Sequence, residues 1–251
     1  MLRRFFTSEK LEIGQPAVLA GTDAAHISNV LRLKAGDMIA VFDGRGHAYE
    51  CSIESASPGR VSVSVIDALP SRTESNVDIT FAQAMLKGRK MDTLIRMATE
   101  LGISRWVPFF SERSVPTPDK KRQAARLDRW NRIAREALKQ CGRERLMEIS
   151  TPVSMEAVLD QGRDCRRKII FWECTSGSQD PVAPTHEGPV ESLIVVVGPE
   201  GGFSAGEIES ARALGYETAS LGPRILKADT AAIAAAVLMQ FCFGDMALNF
   251  H

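Results

Sequence analysis

Residues Leu193 to Val197 read LIVVV, and the chain leaves that unbroken apolar run at once through Gly198-Pro199-Glu200-Gly201-Gly202-Phe203-Ser204. A strand with one face in water alternates polar and apolar residues. A run without alternation asks for cover on both faces, as in a parallel sheet between layers of helix. Around it strand-like and helix-like segments take turns: VDITFAQAM, MDTLIRMATELG, ISRWVPFF, a basic amphipathic stretch, KIIFWE, LIVVV, a helix over about Ala205 to Leu214, ETASLG, and a last helix over about Ala228 to Phe243. This order predicts an α/β fold on a parallel sheet.

The first seventy residues follow another pattern. MIAVFDG and HAYECSI flank the turn Asp43-Gly44-Arg45-Gly46, and VSVSVI from Val61 alternates with period two, which predicts a small β unit, a short barrel. The stretch PSRTESN from Pro70 holds turn formers and no periodicity. It sets the expected division into residues 1–70 and 71–251.

In an open parallel sheet, ligands bind beyond the carboxyl ends of the strands, and Gly198 stands at such an end. Pro199 fixes one φ angle, Gly201 and Gly202 permit tight turns and let a ligand touch the main chain, and Ser204 with Glu207 reads as a capping box that opens the next helix. No GxGxxG or GxxxxGK[ST] pattern occurs, so the ligand need not be a dinucleotide or a polyphosphate. Taken alone, a PxGG turn is also compatible with a plain tight turn. A second exit of the same style, SLGPRILKADTAA from Ser220 to Ala232, gives the first a partner across one site.

Net charge is zero, but its distribution is uneven. Residues 1–70 carry 7 Lys/Arg and 8 Asp/Glu, residues 71–150 carry 17 and 10, and residues 151–251 carry 7 and 13. In the basic middle third, Arg122, Arg126, Arg129, Arg132, Arg135, Lys139 and Arg143 recur at helical spacing opposite an apolar stripe, a cationic face suited either to phosphates or to plain solvation. Five cysteines without a CxxC pair and four unclustered histidines suggest neither a disulfide framework nor a metal site. The start, MLRRFFTSEK, lacks a signal-peptide core, and Ala231 to Met239 is too short to span a bilayer. A cytoplasmic protein without a membrane segment is expected.

Together with these two exits, KGRKMD (Lys87 to Asp92), ATELGI (Ala98 to Ile103), SERSV (Ser111 to Val115), EALKQCGR (Glu136 to Arg143), HISNVLRLKAGD and VFDGRG resemble, in order, the RsmE family of 16S ribosomal RNA uridine methyltransferases within the SPOUT superfamily. The resemblance implies a PUA-like RNA-binding β-barrel, a SPOUT domain with a C-terminal trefoil knot, a homodimer, and a 16S rRNA or small-subunit partner. It also implies bound S-adenosyl-L-methionine, held by three loops. Here these would be Phe171 to Cys174 with Phe171 and Glu173, Gly198 to Gly202 with Gly198, Pro199, Glu200, Gly201 and Gly202, and Leu221 to Thr230 with Leu221, Gly222, Ile225, Leu226, Lys227 and Thr230. The family more often has Arg-Thr-Glu-Thr where this chain has Lys227-Ala228-Asp229-Thr230.

The implied reaction methylates N3 of one uridine, and an anion spread over N3, O2 and O4 then needs stabilising. An arginine fork suits two oxygens, which makes Arg224 and Arg4 the catalytic candidates, with Glu200 to accept a proton or orient the base. Arg3, Arg32, Lys34, Lys87, Arg89, Lys90, Arg113, Arg126 and Arg129 are the candidate RNA contacts. Trp106, Trp130 and Trp172 are expected in the core. A non-catalytic RNA-binding factor and an oxidoreductase remain as alternatives, the latter disfavoured by the missing dinucleotide fingerprint.

Overall fold

The computed structural model describes residues 2–70, 73–114, 120–173 and 190–248. The chain divides into two compact units: Met1–Glu74 with Arg135–Leu146, and Ser75–Ala134 with Met147–His251.

The first unit contains β1 (Arg4–Phe6), β2 (Pro16–Ala20), the short α1 (Gly21–Ala25) running into a π-helical turn at His26–Val30, β3 (Met38–Phe42), β4 (Ala48–Ser57) and β5 (Arg60–Leu69). The strands form one sheet in the order β1-β3-β4-β5-β2. β1 pairs parallel with β3 and the other pairs are antiparallel. No pairing joins β1 to β2 among the described residues, so the expected barrel is seen as a five-stranded sheet. The alternation in β5 buries Val61, Val63 and Val65 with Leu19, Ile27, Ile39, Val41 and Ile53. At the β3–β4 turn, Asp43 Oδ1 accepts hydrogen bonds from Arg45 N (2.7 Å) and His47 N (3.3 Å). Gly44 has φ 72°, and a Cβ there would lie 2.8 Å from the Phe6 ring, so both the dihedral and the space demand glycine.

Residues 135–146 belong to this unit through a set of partly buried ion pairs. Arg143, 3% exposed, donates to Glu74 Oε2 from Nε (3.2 Å) and Nη2 (2.9 Å), and Glu74 Oε1 accepts from the main-chain N–H groups of Glu144 and Arg145. Lys139 Nζ lies 2.9 Å from Asp23 Oδ1, and Arg135 sits over the Phe6 ring. Periodicity puts Arg135, Lys139 and Arg143 on a cationic face suited either to phosphates or to solvation; Arg135 is exposed, whereas Lys139 and Arg143 are drawn into ion pairs. These partners are remote in sequence, so a helical-wheel reading could not find them.

The second unit contains β6 (Asp78–Ala84), α2 (Lys90–Glu100), β7 (Arg105–Phe110), most of α3 (Lys120–Cys141), β8 (Glu148–Ile149), β9 (Val153–Ser154), α4 (Met155–Gln161), β10 (Arg167–Phe171), β11 (Ser192–Val197), α5 (Ala205–Ala213), β12 (Glu217–Ala219) and α6 (Ala228–Phe243). All pairings are parallel, in the order β12-β10-β11-β6-β7-β8, with β9 also on β7. Leu193 to Val197 are all at most 3% exposed, as an unbroken apolar strand requires. Trp106 stacks on Phe81 at 5.3 Å and Trp130 is buried, so both are core residues. No described helix is long and apolar enough to cross a membrane.

Candidate functional site

β11 lies between β10 and β6, and β12 lies outside β10. The carboxyl ends of these neighbouring strands therefore open on one side, where an α/β sheet takes its ligands. Three exits converge there on a cavity of about 870 Å³. β10 contributes Phe171, Trp172 and Glu173; β11 contributes Val197, Gly198, Pro199, Glu200, Gly202 and Phe203; and β12 leads into Ser220 through Ala228, with Ala231 from α6. Cys174, the last expected residue of the first loop, lies outside the described residues.

Each turn has a local cause. Gly202 N donates to Pro199 O at 3.0 Å, and Gly202 holds φ 66°, left-handed and open only to glycine at low cost. A Cβ on Gly198 would meet the Phe203 ring at 3.1 Å. The capping box is formed: Ser204 N donates to Glu207 Oε2 (2.9 Å) and Glu207 N to Ser204 Oγ (3.3 Å). Glu207 Oε1 also accepts from Glu112 N, and Arg113 Nη1 donates to Gly201 O at 3.0 Å. The SERS segment is thus tied to the back of the β11 exit. From β6, the fully buried Gln83 donates through Nε2 to Ala84 O (3.0 Å) and Gly198 O (3.1 Å), pinning that exit where it begins.

Of the expected cofactor residues, Phe171, Glu173, Gly198, Pro199, Glu200, Gly202, Leu221, Gly222, Ile225, Leu226 and Lys227 line the cavity. Gly201 and Thr230 do not. A Cβ on Gly201 would meet Arg113 Cβ at 3.2 Å, so that glycine makes room for a neighbouring loop, and Thr230 is exposed one residue short of Ala231.

Arg224 is exposed and lines the cavity. Arg4 is engaged inside the first unit: Nη2 donates to Arg143 O (3.3 Å), lies 3.7 Å from Glu144 Oε1, and the guanidinium covers the Phe42 ring. Glu200 Oε1 accepts from Lys90 Nζ at 3.0 Å and from Lys87 N at 3.3 Å. Partial burial opposes its charge, but the hydrogen bonds from Lys90 and the main chain prevail and hold the carboxyl below the usual range. It is therefore a poor proton acceptor near neutrality.

Among the candidate RNA contacts, Arg3, Arg32, Lys34, Lys87, Arg89, Arg113 and Arg126 are exposed. Arg32 is the one described non-glycine residue at positive φ, 52°. Arg129 is paired with Asp92 at 2.6 Å. Lys90, expected at phosphates, lines the cavity instead.

A family model described as an RNA methyltransferase domain matches residues 73–240, and one described as an RNA methyltransferase PUA domain matches residues 19–66. The chain belongs to the RNA methyltransferase family. Its relatives include the ribosomal RNA small subunit methyltransferase E of Bacillus subtilis, 30% identical over 93% of this chain and 94% of that one, and that of Aquifex aeolicus, 31% identical over 94% and 99%. Similar solved structures include a putative methyltransferase of Legionella pneumophila in complex with the bound cofactor SAM, with TM-score 0.86, 29% identity and coverage of 98% and 100%. Another is the ribosomal RNA small subunit methyltransferase E of Neisseria gonorrhoeae bound to S-adenosyl methionine, with TM-score 0.85, 29% identity and coverage of 97% and 99%.

Several residues of this RNA methyltransferase site escaped the sequence reading. Trp172, expected in the core, is half-buried, lines the cavity and carries Arg212 over its ring. Val197, Phe203, Ser220, Pro223, Ala228 and Ala231 complete the wall. Pro223 and Ala228 lie within the expected third loop, Ser220 and Ala231 within the second exit, and Val197 and Phe203 flank the first, so the sequence placed all six at the site without marking any as a wall residue. Lys90 had a signal too, but a lysine near a turn reads the same whether it meets phosphate or carboxylate.

Proposed function

We propose that this RNA methyltransferase transfers a methyl group from S-adenosyl-L-methionine to N3 of one uridine in 16S rRNA of the small ribosomal subunit. The convergence of three strand exits on one cavity, in a chain whose relatives carry the name ribosomal RNA small subunit methyltransferase E, supports this reading.

The residues present suit that donor. Main-chain groups at Gly198, Gly202 and Leu221 offer hydrogen bonds to an adenine edge, Phe171, Val197, Phe203 and Leu226 supply apolar walls, and Glu173 and Glu200 offset a positive charge. The open space at Gly222, where a Cβ would meet nothing within 4 Å, leaves room for a ligand against the backbone. When bound, the donor supplies an electrophilic methyl group on a sulfonium. Arg224 then stabilises the uracil anion through O2 or O4, its fork lowering the cost of losing the N3 proton. Glu200, held ionised by Lys90, serves the donor loop, and the proton passes to solvent. Loss of the N3 proton to solvent would leave an anion that Arg224 stabilises at O2 or O4, and the donor held by the three exits would supply the methyl group to N3.

The same reading takes residues 1–70 as a PUA-like RNA-holding domain and residues 71–251 as a SPOUT domain whose last segment is threaded as a trefoil knot. The insertion of β11 between β10 and β6 supports that threading. It also takes the protein as cytoplasmic and as a homodimer, the pairing supported by the apolar residues that α6 exposes, Leu238 and Phe241. The test is mass spectrometry of ribosomal RNA from a deletion strain, with loss of a single 3-methyluridine expected. A full complement of that nucleoside in the deletion strain overturns the proposal.

A further inference from the structure

Lys90 occupies an unusual place for a residue of a basic turn. It stands at the first position of α2, lines the cavity, and directs Nζ at Glu200 Oε1 (3.0 Å) of the β11 exit and Asp229 Oδ1 (4.0 Å) of the β12 exit. Asp229 Oδ1 is itself out of water and accepts no hydrogen bond in the described structure. One ammonium thus stands between two loops that come from different strands.

We propose that Lys90 is a positioning residue that fastens the β11 and β12 exits to each other and so preshapes the donor site, an inference that rests on the donor assignment made above. Charge decides against the phosphate role. Lys90 with Glu200 and Asp229 is a cluster of net charge −1, which repels a phosphate where Lys87 and Arg89, exposed on the same turn, attract one. Geometry decides against a role of mere surface solubility. The Lys90 side chain is 35% exposed and Glu200 30%, and Glu200 is gripped a second time by Lys87 N, so the carboxylate is fixed from two sides. Without the ammonium, Glu200 and Asp229 are two like charges on opposing loops of a small site, and the loops spread. The donor then has to close them, and its affinity falls by that cost.

Fastening makes a distinctive demand. S-adenosylmethionine carries a sulfonium charge that S-adenosylhomocysteine lacks. A lysine that acted on the ligand directly would repel the first and ignore the second. A lysine that shapes the loops supports both alike. The experiment is calorimetric titration of wild type, Lys90→Met, Lys90→Arg, Glu200→Gln and the Lys90→Met/Glu200→Gln double variant with each ligand, beside RNA binding at several salt concentrations. Expected is an equal loss for both ligands in Lys90→Met, about fivefold as for a partly exposed ion pair. Lys90→Arg recovers most of it, the double variant loses less than the product of the single losses, and RNA affinity and its salt slope stay at the wild-type values. Tighter S-adenosylmethionine binding in Lys90→Met with S-adenosylhomocysteine unchanged overturns the inference. So does unchanged donor affinity with a shallower salt slope, which returns Lys90 to the phosphates. Should Lys90→Met not fold, Lys90→Arg and Glu200→Gln carry the same comparison. Failure of wild type to bind either ligand refutes the donor assignment and this inference with it, whereas normal wild-type binding with additive single losses refutes the fastening alone.

Discussion

Two adjacent glycines in the β11 exit have different reasons to be glycine, and replacing each by alanine separates them. At Gly202, φ is 66°, so alanine adopts a left-handed conformation at about 1–2 kcal/mol. Its Cβ would also stand 3.0 Å from Glu173 Oε1, the end of a flexible side chain that can move aside cheaply. The dihedral therefore sets the cost. A loss of 1–2 kcal/mol in a domain of this size lowers Tm by about 2–8 °C. If the loop relaxes to shed that strain, donor affinity falls by about five- to thirtyfold, because Gly202 lines the cavity. At Gly201 no left-handed φ is imposed, and the added methyl would press on Arg113 Cβ at 3.2 Å, on the side away from the cavity wall. The exposed Arg113 loop gives by a few tenths of an ångström, so donor affinity changes less than about threefold. Isothermal titration with S-adenosylmethionine and thermal melting of Gly201→Ala and Gly202→Ala read both quantities. A larger donor loss in Gly201→Ala than in Gly202→Ala would refute the reasoning.

Other expectations follow from charges. Arg143→Met leaves Glu74 without its two-pronged partner at a nearly closed site, where the side chains of Arg143 and Glu74 are 4% and 21% exposed, and should cost about 3–5 kcal/mol in urea unfolding while RNA salt dependence stays put. Reversing charge at Arg126 and Arg132, both exposed, should flatten the plot of log affinity against log salt by about 0.7–0.9 per lost phosphate contact. Arg129 is left out because reversal would set it against Asp92, and an unchanged slope would make this face a solvated one. Arg224→Met should slow single-turnover methylation about 100- to 1000-fold with little change in donor affinity, and an undiminished rate would remove Arg224 from the chemistry. Because the folded carboxyl of Glu200 titrates below the ordinary value, its contribution is present above the unfolded value and lost as pH falls through the lowered one. Donor affinity measured against pH should thus hold level from neutrality down to the usual carboxylate range and decline as pH falls below it. A fall that begins well above the usual carboxylate range contradicts the ion pair.

What was legible in the sequence was what short-range rules decide. Ser204 and Glu207 cap α5 through atoms three residues apart, and α6 spans Ala228–Phe243, the alanine-rich run and the apolar residues that continue it. The β8 and β9 strands are two residues long and α4 only seven, too short for periodicity to speak. The strand order was not legible either. LIVVV announces a buried parallel strand, but nothing in it says that β11 slips between β10 and β6, and that insertion is what draws the three exits together.

Side-chain roles were least legible where a long residue had two chemically equal destinations. Lys90, Arg129, Lys139 and Arg143 share a charge and a basic neighbourhood, and each meets a carboxylate that only the fold brings near. The backbone-built parts of the site were the converse case, because glycine and proline report conformation directly. This bears on the departure of Lys227-Ala228-Asp229 from the more frequent family pattern. Ala228 is 7% exposed at the start of α6 and lines the cavity. A hydroxyl there would need a partner once out of water, and a methyl needs none. The positive and negative positions on either side persist, and Asp229 still faces Lys90. A site whose hydrogen-bonding groups are mostly main-chain ones tolerates such an exchange so long as the loops keep their shape, and it is the glycines, the buried Gln83 and the Lys90 contacts that keep it.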